Sequence, residues 1–245
     1  MKRVLSIFIV LILFGSAGGF AQSAAAVDNS AELAALEAAL QKDPDDLRLG
    51  SNYRQAVVRS AQYDRALAFF ETLVEQHDTA PSAHLNFGFA YVDKIPAAGS
   101  ITQVLLANNA LKQFTRAIEL KPTWIGYYTR GNSYMYWPKI FGRTPLGIAD
   151  LQEAMKMQKA DQKRIYHIRA FIALGDAYWK MEELDKARAT WTEGLAQFPD
   201  NPALKMRLVR QGDELKAIMD ETYDITKRID TSLKELWADQ REPAK

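Results

Sequence analysis

Residues 168–201 read IRAFIALGDAYWKMEELDKARATWTEGLAQFPDN, and this stretch decides the fold. Leu174, Gly175 and Tyr178 recur at helical spacing in its first half, and Ala187, Trp191 and Gly194 do so in its second. Apolar residues three and four apart share one side of a helix. Pro199 cannot continue the second helix, because it lacks an N–H and its ring collides with the preceding turn. The stretch is therefore a helix-turn-helix unit whose apolar side must be buried against neighbours of the same kind.

The neighbours lie upstream. In Leu47 to Ala80, Tyr53, Val57, Ala66, Phe70 and Leu73 take the equivalent places, with Arg54 where Gly175 stands in the later unit. Close helix packing wants a small residue there. The next unit opens with Phe87, Gly88 and Tyr91 and closes with Ala110, Phe114, Ala117 and Pro122, with a surplus around Lys94 to Ser100. Ser100 and Gln103 predict a capping box at the start of a lengthened second helix. The third unit opens with Tyr127, Gly131 and Tyr134, closes with Leu151 and Ala154, and carries extra residues in its turn, Pro138 to Gly147. Ala31 to Lys42 fits a single capping helix, with Leu36 and Ala39 in its packing positions. Pro202 opens another helix, and Gly212 marks a break. From Asp213 the spacing of Leu215, Ile218, Thr222, Ile225, Ile229, Leu233 and Leu236 predicts one long helix, apolar along one stripe except at Thr222. The expected fold class is all-α: a right-handed α-solenoid of about four repeats plus a capping helix over residues 31–212, then a C-terminal helix and tail over 213–245.

The N-terminus predicts export. Lys2 and Arg3 precede an apolar run from Val4 to Phe14, and small residues lead to Ala21. That run is too short to span a bilayer of about 30 Å comfortably, and the succession is that of a secretory signal over residues 1–21. Cleavage before Gln22 and retention as an anchor both put the rest outside the inner membrane, periplasmic or secreted. Residues 22–30, small and without period, are expected to be a flexible leader, and no integral span is expected after cleavage. The 245 residues carry 31 basic and 30 acidic side chains. Loss of Lys2 and Arg3 would leave 29 basic groups, a net charge of −1 that gives no reason to expect nucleic acid. The absence of cysteine excludes disulfides, thiolate metal sites, a cysteine nucleophile and a lipidated N-terminal cysteine.

With its 34-residue period and these positions, the chain resembles the tetratricopeptide-repeat family over residues 31–212. The resemblance implies a non-catalytic scaffold whose first helices line a concave groove for a protein or peptide partner. The groove positions it implies are Arg48, Ser51, Gln55, Val58 and Arg59 in the first unit, and Ser82, Leu85, Phe89, Val92 and Asp93 in the second. They are Ile125, Tyr128, Asn132, Met135 and Tyr136 in the third, and Arg169, Ile172, Asp176, Trp179 and Lys180 in the fourth. Ser51, Gln55 and Thr129 stand where the family's clamp for a C-terminal carboxylate needs other residues, so chaperone-tail binding is not implied. The turn Pro138 to Gly142 is similar to turns in repeat subunits attached to some periplasmic solute transporters. That gives the alternative: a transporter accessory holding a small ligand or docking a solute-binding protein.

Trp124, Tyr127, Tyr128, Tyr134, Tyr136, Trp137 and Phe141 form an aromatic cluster, readable as a recognition surface or as core packing. Tyr128 and Tyr136 are the members that helical phase turns toward the groove. His77, His84 and His167 lack metal-ligand spacing, and no nucleophile elbow or phosphate loop is present, so neither enzyme nor cofactor is expected. Asp43, Asp45 and Asp46 flank Pro44 as helix caps. The striped C-terminal helix would cap the solenoid or pair with a second copy.

Overall fold

The computed structural model describes residues 18–238, so the export signal expected over residues 1–21 lies outside the described residues as far as residue 17. Helix α1 (Gly18–Lys42) includes residues 22–30, which form no irregular leader. The helical pairs follow: α2 (Leu47–Ser60) with α3 (Tyr63–Gln76), and α4 (Pro81–Lys94) with α5 (Ser100–Leu120). Next come α6 (Trp124–Tyr134) with α7 (Thr144–Lys159), and α8 (Ile168–Lys180) with α9 (Leu184–Gln197). Then α10 (Pro202–Val209), α11 (Gly212–Thr222) and a short α12 (Lys234–Ala238) complete the described residues. The architecture is an α-solenoid in which each helix from α1 to α10 packs on the next.

Local chemistry sets the boundaries. Asp46 accepts the Leu49 N–H at 2.9 Å and Asn201 accepts that of Leu204 at 3.0 Å, which satisfies donors that have no partner within the helix. Proline occupies the first turn of α4 and of α10, where its missing N–H costs nothing. The expected box at Ser100 does not form. Gly99 is the N-cap of α5, and the Gln103 amide instead donates to the Ile95 carbonyl at 3.1 Å, securing the inserted 3-10 turn Ile95–Ala97.

The glycines at the shared register allow the paired helices to touch. A Cβ added to Gly175 would lie 2.2 Å from Nε1 of Trp191, and one on Gly88 would lie 2.3 Å from the Phe114 ring. Both rings are at most 1% exposed. Phe70, Leu151 and Phe171 are equally buried, in apolar clusters that succeed one another along the array.

The long C-terminal helix expected from Asp213 does not form. The helix stops at Thr222, and residues 223–233 are irregular. Asp224 Oδ1 accepts from the Thr226 N–H and hydroxyl, and Asp230 Oδ1 accepts from the Ser232 N–H. Such local side-chain bonds compete with helix, and the β-branched residues of this stretch have little helical preference to oppose them. The expected stripe is therefore divided. Leu215 and Met219 cover Trp191 and Leu204 at the end of the solenoid, whereas Leu233 packs far back against the Leu85 and Phe89 cluster. No unbroken apolar face remains in 213–238 for pairing with a second copy.

Candidate functional site

Beyond Thr222 the chain turns back and crosses the face presented by α2, α4, α6 and α8. Its anchors begin at α2. Arg54 is 1% exposed, and its Nη2 donates to the carbonyl of Thr231 at 3.0 Å. Nη1 meets Asp93 at 3.1 Å, Nε donates to Asn86 at 3.0 Å, and the guanidinium carbon lies 4.7 Å from the centre of the Phe89 ring. The hydroxyl of Ser51 donates to the Ser232 carbonyl at 2.6 Å, and the Gln55 amide donates to Thr231 Oγ1 at 3.2 Å. Thr231 in turn donates its hydroxyl to Asp93. Burial pushes the Arg54 guanidinium down and the Asp93 carboxyl up, while their mutual attraction opposes both shifts. Arg54 thus fills the place where a small residue is expected, because α2 and α4 enclose a buried polar network there.

At the other end of the segment Arg169 grips Glu235 through two bonds, Nε to Oε2 at 2.6 Å and Nη2 to Oε1 at 2.8 Å. This fork geometry holds the Arg169 guanidinium well above its ordinary pKa, the hydrogen bonds to Glu235 being the main cause. Arg48 approaches the Trp237 ring at 5.9 Å, and Arg228 donates to the Tyr63 hydroxyl at 2.5 Å.

Between these ends, a cavity of about 250 Å³ lies under the crossing segment. Phe89, Val92, Ile125, Tyr128, Asn132, Tyr136, Arg169 and Ile172 line it from α4, α6 and α8, and residues 229–236 close it from above. Tyr128 stacks on Trp124 with ring centres 4.9 Å apart, and Trp124 is fixed by a 2.9 Å bond from its indole to Gln158. Tyr136 meets Tyr223 edge-on at 5.3 Å. Burial raises the phenols of Tyr128, Tyr136 and Tyr223.

Other groove positions serve the framework. Asp176 is fully buried; its carboxylate accepts from Trp191 at 3.1 Å, from Arg207 at 2.6 and 2.8 Å, and from Tyr223 at 2.9 Å. Every lone-pair direction is used, so Asp176 ties α8 to α9, α10 and the end of α11 and is not open to a ligand. Lys180 donates to the carbonyls of Met135 and Trp137, both at 2.6 Å, closing the end of α6. Trp179 packs with the Trp191 cluster, Met135 is core, and Arg59 pairs with Glu32 of α1 at 2.7 Å. Leu85 is buried beside Leu233.

The two insertions meet in a second cavity of about 280 Å³. Ile95, Pro96 and Val104 form one wall, Trp137 and Phe141 the opposite one, and Ile225 with Ile229 the side next to the C-terminal segment. The guanidinium of Arg143 sits 3.6 Å from the centre of the Trp137 ring and donates to Asn108 at 3.0 Å, which braces the inserted turn against α5. Of the aromatic cluster, Trp124 and Tyr128 line the first cavity, Trp137 and Phe141 the second, and Tyr136 both. Among the described residues no group of His, Asp and Glu could hold a metal ion, and no helix is long and apolar enough to cross a membrane.

Arg54, Thr231 and Glu235 are the site residues that the repeat pattern does not reveal. The signal for the first is its size and charge at a position that favours glycine. The last two lie outside the repeats, where the pattern assigns no roles.

Residues 168–210 match the tetratricopeptide repeat profile. Among solved structures, a thermophilic TPR protein from Thermus thermophilus is 22% identical with a TM-score of 0.53, covering 77% of this chain and 92% of its own. A tetratricopeptide repeat protein from Parabacteroides merdae is 14% identical with a TM-score of 0.52, covering 91% of this chain and 77% of its own. YrrB, described as a TPR protein with an unusual peptide-binding site, is 17% identical with a TM-score of 0.50, covering 82% of this chain and 90% of its own. No curated protein sequence matches significantly. Residues 168–210 are a tetratricopeptide repeat, and the chain as a whole has the fold of tetratricopeptide-repeat proteins.

Proposed function

We propose that the protein is a non-catalytic scaffold of the cell envelope, and that the face of α2, α4, α6 and α8 receives an extended segment of a partner protein. The observation that carries this reading is that the face already holds an irregular segment of its own chain, through donors to the carbonyls of Thr231 and Ser232. Groups that bind backbone carbonyls accept peptides as a class, and the aromatic walls of the cavity suit anchoring side chains. The peptide-binding site named for YrrB, on a similar fold, supports it. Export rests on residues 1–21 alone, and envelope material should begin near Gln22 on N-terminal sequencing.

A photoreactive residue in place of Asn132 tests the binding face in intact cells. Crosslinks should map to one segment of another protein and fade in a Tyr128→Ala, Tyr136→Ala chain that keeps its helical signal. Crosslinks arising only from residues on the convex helices would reject the face.

The second reading, an accessory to a solute transporter, is favoured by the apolar cavity between the insertions. It predicts saturable uptake of a small apolar ligand, blocked by Ala107→Trp. An unchanged ligand affinity in that variant would dismiss it.

A further inference from the structure

Residues 231–235 are held as a ligand is held. Contacts with the face are concentrated at two ends, Arg54 with Ser51 on the carbonyls of Thr231 and Ser232, and Arg169 on the Glu235 carboxylate. Between the ends Leu233 turns toward the Leu85 and Phe89 cluster with φ at 55°, a backbone region that penalises any side chain. A segment selected only as core would relax that residue. Two polar clamps and a strained middle describe instead an occupant that another can replace.

The clamps also specify the replacement. Gln55 and Asp93 flank one hydroxyl, the cluster takes an aliphatic side chain two residues on, and Arg169 takes a carboxylate two further. The left-handed turn at Leu233 and the start of α12 at Lys234 bring these three places, i, i+2 and i+4, to the same face. The geometry points to a recognition rule: this face selects a partner segment bearing Ser or Thr, an aliphatic residue and an acid at alternate positions, and residues 231–235 are a resident copy that such a segment displaces. The rule rests on the reading of the face as a peptide site. While the copy is seated, apparent affinity for the partner falls by the fraction of chains left open.

The test uses the full chain and a labelled synthetic peptide of residues 229–238. The chain carrying Glu235→Ala has a weakened resident copy and an intact Arg169, so it should bind the peptide at least about tenfold more tightly than the unaltered chain. Adding Arg169→Ala should remove that gain, and a peptide with alanine at the positions of Thr231 and Glu235 should not compete. Thr231→Val is the second opening variant; helical circular dichroism decides whether it enters the comparison, and Glu235→Ala, at a half-buried position, suffices without it. Equal affinity for the opened and unaltered chains overturns the rule, as does equal competition by the alanine peptide. If either occurs while Asn132 still crosslinks a partner, the rule falls and the face stands. Loss of the crosslink as well removes the face.

Discussion

The guanidinium of Arg54 and the carbonyl of Thr231, 177 residues apart, meet at 3.0 Å. Both residues also address Asp93, Arg54 by its Nη1 and Thr231 by its hydroxyl. The first repeat and the C-terminal segment therefore share one buried network. A residue that breaks the repeat's preference for small side chains is the link between the solenoid and the chain that crosses it.

Arg54→Ala should destabilise the protein strongly, because it strands the Asp93 carboxylate in a buried site. Breaking one side of such a pair typically costs about 3–5 kcal/mol. Chemical denaturation of the single variant and of Arg54→Met with Asp93→Leu measures this. The double variant should be the more stable of the two; a reverse order would mean that the charge pair is not what the site requires.

Gly175→Ala should cost stability out of proportion to one methyl group, since the new Cβ would lie 2.2 Å from the Trp191 indole. Overpacking of this kind costs roughly 1–3 kcal/mol, and Trp191→Ala at the same contact about 3–5 kcal/mol. Thermal melts should rank the two below the unaltered chain in that order. A Gly175→Ala chain that melts unchanged would show the helices to be less tightly paired than their geometry states.

Alkaline pH should unfold the array through its tyrosines. Burial raises the phenols of Tyr53, Tyr128, Tyr136 and Tyr223 above the unfolded value of about 10. A raised folded-state pKa contributes stability that is complete below the unfolded value and is lost as pH climbs above it. Tyrosinate absorbance should therefore rise in two steps, exposed phenols first and the buried ones together with the loss of helix. A single step that precedes any loss of helix would contradict the burial.

The repeats were legible because their packing is local and periodic: Leu174, Gly175, Trp191 and Gly194 mark their own contacts by spacing, and Pro202 opens α10 where the period requires. Groove positions were what the resemblance to tetratricopeptide repeats implied, and of these Tyr128, Asn132, Tyr136 and Arg169 surround one cavity. Phase does not identify the partners of a polar side chain. Asp176 and Lys180 point inward as the phase requires but are consumed by Arg207 and by the end of α6. The C-terminal stripe misled for a related reason. Ile225, Ile229 and Leu233 keep helical spacing, yet Asp224 and Asp230 bond locally to Thr226 and Ser232 and break the helix. What then places Thr231 against Arg54 is a contact across nearly the whole chain, which no local pattern encodes.

The most direct measurement exploits the absence of native cysteines. Gln55→Cys with Thr231→Cys joins side chains that touch across the groove, so a short thiol-bridging reagent should lock the segment in place. The bridged chain should keep its helical signal and lose capture of the partner at the Asn132 crosslinking position, while the unbridged chain retains it. Equal capture by bridged and unbridged chains would contradict the claim that partner and C-terminal segment compete for this face.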